Sequence, residues 1–311
     1  MPGIHHVTAI AGNAARNLDF YTRVLGLRLV KKTVNFDDPG TYHLYFGDES
    51  GRPGTILTFF PWAHAARGRN GIGLAETTSF RVPDKSLDYW AHRFADKGVV
   101  HEAIARRFGQ RVLAFKDPDG MSLALVGVAG AENGEAWTGG EVEADHAIRG
   151  FHGITLLIRK AERTAAILTG VLGFTQVAKE GSVTRFEAAG AVHGGVVDIH
   201  EEAGQEEGRM GRGSVHHIAF RAESDAEQAE MRLKLAETHR LQATEQMDRN
   251  YFRSIYFREP GGIIFEVATD QPGFAVDEPV ERLGQDLKLP HFLEGRRTQI
   301  EARLPSLEVV S

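Results

Sequence analysis

The chain of 311 residues is 42% hydrophobic and 25% charged, which is typical of a folded protein with two domains of ordinary size. A formal net charge of −6 without a basic run argues against nucleic acid as a partner, and the lack of cysteine excludes disulfides, thiolate metal sites and a cysteine nucleophile. The start MPGIHHV has no signal-peptide pattern and no apolar run is long enough to span a bilayer, so we expect a cytoplasmic protein without membrane contact.

The first 60 or so residues predict a small unit made of a strand, a helix and three more strands. An alternating strand covers residues 6–10, and apolar side chains recur at helical spacing over residues 17–25. Gly26 follows this helix at the position that a C-terminal glycine normally takes. The remaining strands are predicted over residues 27–34, 41–46 and 55–60.

Motifs of this unit recur later in the chain. YTRVLGL from Tyr21 matches LTGVLGF from Leu168, and the same offset places IHHVT on FHGIT. A second pair of units is related by FKDPDG from Phe115 and FREPGG from Phe257. The chain therefore predicts four related βαβββ units in an A-B-A-B order. One such unit is too small to bury its sheet alone, so the units must pair, and the sequence leaves open whether unit one pairs with unit two or unit four.

These repeats predict an α+β fold with two tandem domains, covering residues 1–129 and 150–270. The stretch 130–149 is rich in glycine and acidic residues, has no periodicity, and is typical of a linker. Residues 271–311 predict a C-terminal extension that packs on the domains, with a helix around 293–304. The sequence does not determine the oligomeric state, and a homo-oligomer is compatible with such paired sheets.

Two predicted strands each begin with a histidine pair, in GIHHVTAI and SVHHIAF, and a glutamate ends a third strand in PGGIIFEVA. Two imidazoles and one carboxylate form a three-ligand set that leaves positions open on a divalent metal, as in non-haem Fe(II) oxygenases. Strand alternation places the two histidines of each pair on opposite faces of the sheet. His217 shares its face with Ala219, and His6 shares its face with Thr8, small residues suited to a concave site. His216 is expected on the opposite face, packed against helices.

Several segments together resemble the vicinal oxygen chelate superfamily, which includes glyoxalases, bleomycin-resistance proteins and extradiol dioxygenases. The resemblance covers essentially the whole chain and is most specific for the hydroquinone-type ring-cleaving dioxygenases. It implies cupped mixed sheets and a metal held by His6, His217 and Glu266, with Fe(II) as the expected ion and Mn(II) as the alternative. The segments that carry it are GIHHVTAI, TYHLYFGDESGRPGT, RFGQRV, HHIAF and RNYFRSIYFREPGGIIFE.

The sister units have lost these ligands. Ala124 occupies the position that matches Glu266, and Thr77 occupies the position that matches His217. In unit three, Gly153 stands at the ligand position of the FHGIT motif. We therefore expect one metal per chain. A structural role is expected for three histidines that cluster in unit three, and no role is assigned to His43 or to the other histidines outside the two pairs. The three are His152, His193 and His200.

The resemblance also implies roles for residues near the ligands. Arg249 is expected to face negative charge on substrate or oxygen, and Tyr256 to donate a proton, with His216 as a third catalytic residue. His5 and Thr8 are expected to hydrogen-bond substrate or to hold the ligand histidines in one tautomer. Each has an ordinary alternative, such as a surface ion pair for Arg249 and core packing for Tyr256. The implied reactants are a small aromatic diol and O₂, and the implied reaction opens the ring.

Two other functions fit the same fold. A glyoxalase-type lyase or isomerase would use a four-ligand Zn or Ni site, and the residues Ala124 and Thr77 remove the obvious extra ligands. A bleomycin-resistance-like protein would bind a small molecule without metal or catalysis, and it would have no need for the two histidines and the glutamate. The sequence therefore favours a ring-cleaving dioxygenase without identifying the ring substituents of its substrate.

Overall fold

Each of the four repeats forms a strand, a helix and three further strands in a computed structural model that describes residues 3–308. Unit one comprises β1 (Ile4–Ala11), α1 (Ala14–Asp19), β2 (Arg28–Val34), β3 (Tyr42–Gly47) and β4 (Ile56–Pro61). Unit two comprises β5 (Leu74–Pro83), α2 (Leu87–Asp96), β6 (Ala105–Arg107), β7 (Gln110–Lys116) and β8 (Ser122–Val128). Unit three comprises β9 (Phe151–Ile158), α3 (Glu162–Gly170), β10 (Phe174–Glu180), β11 (Val183–Ala188) and β12 (Val196–Glu201). Unit four comprises β13 (Ser214–Ala222), α4 (Asp225–His239), β14 (Met247–Asp248), β15 (Arg253–Arg258) and β16 (Ile264–Thr269).

Local sequence signals explain where the first helix begins and ends. The side chain of Asn13 accepts a hydrogen bond from the backbone N–H of Arg16 at 2.8 Å and caps α1. The helix continues through a π-helical turn, Phe20–Val24, and stops at Gly26. Gly26 has a φ of +71°, and a Cβ there would lie 2.7 Å from Val142 Cγ2, so only glycine fits. The predicted helix and its glycine end are confirmed.

Each sheet pairs one unit from the first half of the chain with one unit from the second half. The first has the order β14-β15-β16-β13-β1-β4-β3-β2, and the second has the order β10-β11-β12-β9-β5-β8-β7-β6. Unit one therefore pairs with unit four, and unit two with unit three, so both halves of the chain contribute to each curled sheet. At the centre of the first sheet β1 runs antiparallel to β13 and parallel to β4. The expected α+β fold is confirmed, whereas the limits of the two sequence domains stay predictions.

Opposite faces of the first sheet bury different clusters. One large cluster packs helices against sheets and includes Trp90 of α2, Leu235 of α4 and Phe220 of β13. Alternate residues of the same strands, such as Tyr45 and Ala219, belong to a second cluster on the other face.

Within residues 3–308, no helix has the length and apolarity that a membrane span requires.

The C-terminal extension packs on the first sheet, as expected. Phe274 joins the second cluster beside Tyr45, and Leu293 packs near Val34. The single helix predicted around 293–304 is wrong, because two short helices occur instead, α5 (His291–Glu294) and α6 (Arg297–Glu301). Gly295, at the C-terminal cap of α5, separates them and lowers the helix propensity at the break.

A buried charge anchors this extension. Lys31 of β2 is fully buried, and its Nζ lies 2.5 Å from Asp277 Oδ1 and 2.5 Å from Glu278 Oε2. Glu278 is also buried, with a side chain 1% exposed. Removing one partner of such a pair leaves the other charge buried without compensation.

Replacing Lys31 with methionine is therefore expected to lower the free energy of unfolding by about 3–5 kcal/mol. Urea unfolding at pH 7 measures the change. The double variant Lys31→Met/Glu278→Gln should recover part of the loss, because no unpaired carboxylate then remains at position 278. Lys32→Met is the matched control on the adjacent residue, whose Nζ donates to the carbonyl of Gln285 at 3.0 Å. Equal losses for the two single variants would contradict the buried-pair explanation.

Candidate metal centre

Three neighbouring strands of the first sheet bring the predicted ligands together. His6 lies on β1, His217 on β13 and Glu266 on β16, and one ligand atom from each lies within 4.8 Å of the others. Glu266 Oε2 is 3.4 Å from His6 Nε2 and 2.9 Å from His217 Nε2. Pairing of β13 with both β1 and β16 explains the convergence, since Ala219 pairs with His6 on one side and with Glu266 on the other.

Both histidine pairs coincide with irregularities in the pairing of β1 and β13. The register shifts between Ile4 and His6, which leaves His5 as an extra residue on β1, and it shifts again so that His216 is extra on β13. Such bulges turn neighbouring side chains away from strict alternation. Consequently, His5 Nδ1 lies 3.0 Å from His6 Nδ1, and His216 Nδ1 lies 2.8 Å from His217 Nδ1.

The expectation that His216 faces the helices is wrong for this reason. Ile218 and Phe220 do pack in the core with the helices, but His216 is half-buried and lines the same cavity as His217. The alternation rule fails at a bulge because one strand carries an extra residue. The sequence alone has no marker of that extra residue, since the pairing partner comes from the other end of the chain.

The three candidate ligands suit a divalent cation. All are buried, with 2%, 6% and 0% of His6, His217 and Glu266 exposed. Glu266 Oε1 accepts a hydrogen bond from Ser254 Oγ at 2.5 Å, whereas Oε2 is buried and accepts none. A buried carboxylate oxygen without a hydrogen bond is costly, and a cation between this oxygen and the two Nε2 atoms would remove the cost.

The charges of these groups also favour a cation. Burial raises the pKa of Glu266, but the neighbouring His6 and His217 outweigh burial and hold the pKa well below its usual range. Burial lowers the pKa of His217, against the opposing effect of Glu266. An anionic carboxylate beside a neutral imidazole is the protonation state that metal binding requires.

The cavity at this centre is walled by aromatic rings. Its volume is about 330 Å³, and rings reach it from the connection after β2, from β3 and β4, from the residue after β4, and from β15 and the segment before it. Apolar walls around a few convergent polar groups are typical of a site for a small aromatic molecule. These rings belong to Phe36, Tyr45, Phe60, Trp62, Phe252 and Tyr256.

Arg249 and Tyr256 lie together at the cavity wall. Arg249 Nε donates a hydrogen bond to the Tyr256 hydroxyl at 3.1 Å, and Arg249 Nη1 lies 3.8 Å from Asp37 Oδ2. The ring of Tyr256 contacts His217 edge-on, with 5.8 Å between centroids. Burial and the charge of Glu266 raise the pKa of Tyr256, so the phenol keeps its proton. Both residues line the same cavity as His6 and His217, and their catalytic roles stay predictions.

His5 and Thr8, which were expected to contact substrate, lie outside the cavity lining. His5 is 2% exposed and Thr8 is fully buried, and neither lines the cavity. His5 contacts Nδ1 of His6, and its own Nε2 is buried without a hydrogen-bond partner. This placement favours the alternative role of holding the ligand histidine in one orientation over direct contact with a substrate.

Sequence reasoning missed His43, which lines the cavity from β3. Thr58 Oγ1 donates to Thr8 Oγ1 at 3.0 Å, so Thr58 accepts a hydrogen bond from His43 Nε2 at 2.7 Å. Nδ1 of His43 then accepts from the hydroxyl of Tyr45 at 2.8 Å. A signal was present: alternation in TYHLYFGD places His43 and Tyr45 on one face. Asn35, Phe36 and Asp37 also line the cavity, but no sequence pattern marked them.

The second sheet confirms how the duplicated site was lost. Gly153 pairs with Ser79, which in turn pairs with Ala124, in the same register as the first site. Arg185 and Asp198 form a buried bidentate ion pair there, with nitrogen–oxygen distances of 2.9 and 2.8 Å. His6, His217 and Glu266 are the one group of three such residues with metal-binding spacing within residues 3–308.

The three histidines of unit three have structural contacts. His152 Nε2 lies 3.1 Å from Gln110 Oε1, and burial lowers the pKa of His152 to about 3. Nδ1 of His193 lies 2.8 Å from the carbonyl oxygen of Arg149. His200 Nδ1 lies 3.0 Å from a carboxylate oxygen of Glu76. These contacts agree with the structural role expected for all three.

Comparison with known proteins places this geometry in context. The family described as Glyoxalase/Bleomycin resistance protein/Dioxygenase superfamily matches residues 3–125 and 150–267. A protein of Bacillus subtilis (strain 168), provisionally named ring-cleaving dioxygenase MhqO, is 50% identical over 310 residues, which cover 99% of this chain and 97% of the relative. Chlorohydroquinone/hydroquinone 1,2-dioxygenase of Sphingobium indicum is 31% identical over 303 residues, covering 96% of this chain and 94% of that enzyme.

Solved structures extend the comparison. A crystal structure of a provisionally named dioxygenase from Bacillus subtilis has a TM-score of 0.94 and 48% sequence identity, and the match covers 99% of this chain and 98% of that one. Glyoxalase I from Zea mays has a TM-score of 0.64 at 15% identity, covering 87% of this chain and 93% of that one. The latter likeness concerns the fold alone.

Proposed function

Because this chain belongs to the Glyoxalase/Bleomycin resistance protein/Dioxygenase superfamily and is a ring-cleaving dioxygenase of that family, we propose that it opens a hydroquinone- or catechol-type ring with O₂ at a non-haem Fe(II). The observation that supports this most strongly is the convergence of His6, His217 and Glu266 beside an aromatic-walled cavity that the two histidines line. Mn(II) prefers similar ligands and is the alternative ion.

The three ligands would hold the cation through His6 Nε2, His217 Nε2 and Glu266 Oε2. When bound there, a redox-active ion supplies open positions for both reactants and passes electrons from the aromatic diol to O₂. The fit rests on the buried Glu266 Oε2 without a hydrogen-bond partner, on the lowered pKa of Glu266 and on the lowered pKa of His217.

The walls of the cavity would bind and orient the substrate. The rings of Phe60, Trp62 and Phe252 offer flat apolar surface to a single aromatic ring. Arg249 is one positive charge in this cavity, and a phenolate oxygen is the negative group that it would face. With 20% of its side chain exposed, Arg249 is shielded enough from water for this attraction to matter.

Two residues would hold protons at defined atoms. Burial lowers the pKa of His216 to about 4, so His216 is neutral near pH 7. If His217 binds the cation through Nε2, its Nδ1–H donates to His216 Nδ1, and His216 then carries its own proton on Nε2. Tyr256 accepts from Arg249, so its hydroxyl proton can be donated toward the cavity.

Oxygen uptake tests this proposal. Anaerobic loading with Fe(II), followed by oxygen and a panel of hydroquinones and catechols, should consume about one O₂ per diol opened and remove the aromatic ultraviolet band. Loading with Mn(II) in parallel distinguishes the ions. No uptake with any diphenol at full iron occupancy would overturn the proposal. Turnover of a glutathione hemithioacetal would instead indicate a lyase, and tight binding of an aromatic drug without metal would indicate a binding protein.

A further inference from the structure

A second cavity lies at the seam between the two halves of the chain, outside the metal centre. Its volume is about 210 Å³. Its walls come from the segments before β5 and before β13, from these two strands, and from the turn between β7 and β8 with its flanking residues. The first two segments run side by side, with backbone bridges from Arg67 to Arg212 and from Arg69 to Arg209. Residues of both halves therefore face the same small space.

Three basic side chains line this cavity without a carboxylate partner. Arg67, Lys116 and Arg212 form no ion pair with any residue of the described part of the chain, 3–308. The ammonium group of Lys116 donates to the hydroxyl of Ser122 at 3.0 Å, which leaves its charge unneutralised. Three like charges around one small space, two of them exposed to water, create a positive potential that attracts an anion.

The two carboxylates in the wall, Asp119 and Glu76, already have other partners. Asp119 accepts the backbone N–H of Gly12 at 2.8 Å and is paired with Arg16 at 2.7 Å. Glu76 lies 3.0 Å from His200 Nδ1. Neither carboxylate neutralises the three basic groups, so the cavity keeps an excess of positive charge.

A buried hydroxyl in the same wall also lacks a partner. Thr78 of β5 is fully buried, and its Oγ1 forms no hydrogen bond. Buried polar atoms nearly always have a partner, and an unmet one is costly. An oxygen-rich ligand in the cavity would accept a hydrogen bond from this hydroxyl.

We propose that this cavity, lined by Arg67, Thr78, Lys116 and Arg212, binds a compact dianion of the phosphate or dicarboxylate type. Guanidinium groups offer paired N–H donors that match both kinds of oxyanion, and lysine adds a point charge. Because the basic groups come from both halves of the chain, the bound anion ties the two halves together. This anion site is independent of the ring-cleaving activity.

Calorimetric titration and thermal unfolding of the full chain test the proposal. The probes are inorganic phosphate, sulfate and malonate, with chloride at equal ionic strength as the control. At least one dianion should bind with a dissociation constant below about 1 mM and raise the Tm by about 2 °C or more at about 10 mM. Preference for phosphate or for malonate distinguishes the two ligand types. If none of the dianions binds better than chloride, the site does not exist.

Variants locate the binding. Thr78→Val keeps the shape of the side chain and should weaken dianion binding about tenfold. The double variant Arg67→Gln/Arg212→Gln should abolish binding, whereas Arg209→Gln, in the same segment but outside the cavity wall, should not change it. Persistence of binding in the double variant would overturn the assignment. Titrating both the Fe(II)-loaded chain and Glu266→Gln separates this cavity from anion binding at the metal.

Discussion

Replacing Glu266 with glutamine is expected to abolish stoichiometric Fe(II) binding and to reduce ring-cleaving activity at least about 10³-fold. The amide has nearly the same shape but carries no charge, so two neutral imidazoles remain to hold a divalent cation. His217→Ala and His6→Ala should have the same effect on iron content, although His6 lies at the other end of the chain from Glu266. Iron analysis of desalted protein and oxygen uptake measure the two results.

Stability measurements separate this loss from misfolding. In the metal-free chain His6 and His217 hold the pKa of Glu266 well below its usual range, so Glu266→Gln should lower the Tm of the metal-free protein modestly and leave a cooperative unfolding transition. Thr77→Ala is the matched control, because Thr77 pairs with Thr155 in the second sheet as His217 pairs with Thr8 in the first. It should keep full iron content and activity. One iron per chain in Glu266→Gln would refute the ligand assignment.

Replacing Tyr256 with phenylalanine is expected to lower kcat by about 10²–10³-fold at unchanged iron content. The hydroxyl accepts a hydrogen bond from Arg249 Nε, and burial raises its pKa, so it is a fixed and protonated donor beside His217. Phenylalanine keeps the ring and its packing. Since the missing proton donor acts on the reaction and adds little to substrate binding, KM should change much less than kcat.

Steady-state kinetics with the best substrate of the panel measure this effect. Tyr89→Phe is the control for loss of a tyrosine hydroxyl, because Tyr89 stacks on His146 and does not line the metal cavity. Its activity should equal that of the parent chain. If Tyr256→Phe loses iron instead of turnover, Tyr256 positions His217 and is not the proton donor.

The two curled sheets are equivalent in backbone because their units are duplicated, yet one of them carries the candidate metal centre. Both sheets have the same pairing register and the same two bulges, so the backbone of a ligand site exists twice. In the second sheet the ligand positions carry Gly153, Thr77 and Ala124, and the Arg185–Asp198 ion pair lies in the wall of the cup. The two sheets therefore differ at this place in their side chains and not in their backbone pairing.

The repeated units and the residues of the candidate metal centre were predictable from the sequence because each is marked by a short local motif. Repeated motifs predicted four βαβββ units, and Gly26 marked a helix end that the structure confirms with a positive φ value. Two histidine pairs near strand starts and one glutamate identified the residues that meet, although Glu266 lies inside β16 and does not end it as the sequence predicted. Each of these inferences uses residues within one short segment, where backbone preference and side-chain chemistry are decided by near neighbours.

What required the tertiary structure depends on contacts between distant segments. The pairing of β1 with β13 joins unit one to unit four in the first sheet, and the bulges in that pairing bring His5 against His6 and His216 against His217. The position of His43 in the cavity wall and the seam where Arg67 pairs with Arg212 also depend on contacts between distant segments. The four units and the residues of the candidate metal centre were thus predictable from the sequence alone. The strand partners, the face that each histidine presents and the second cavity were decided by the fold, because registers between distant strands are set by packing across the whole molecule.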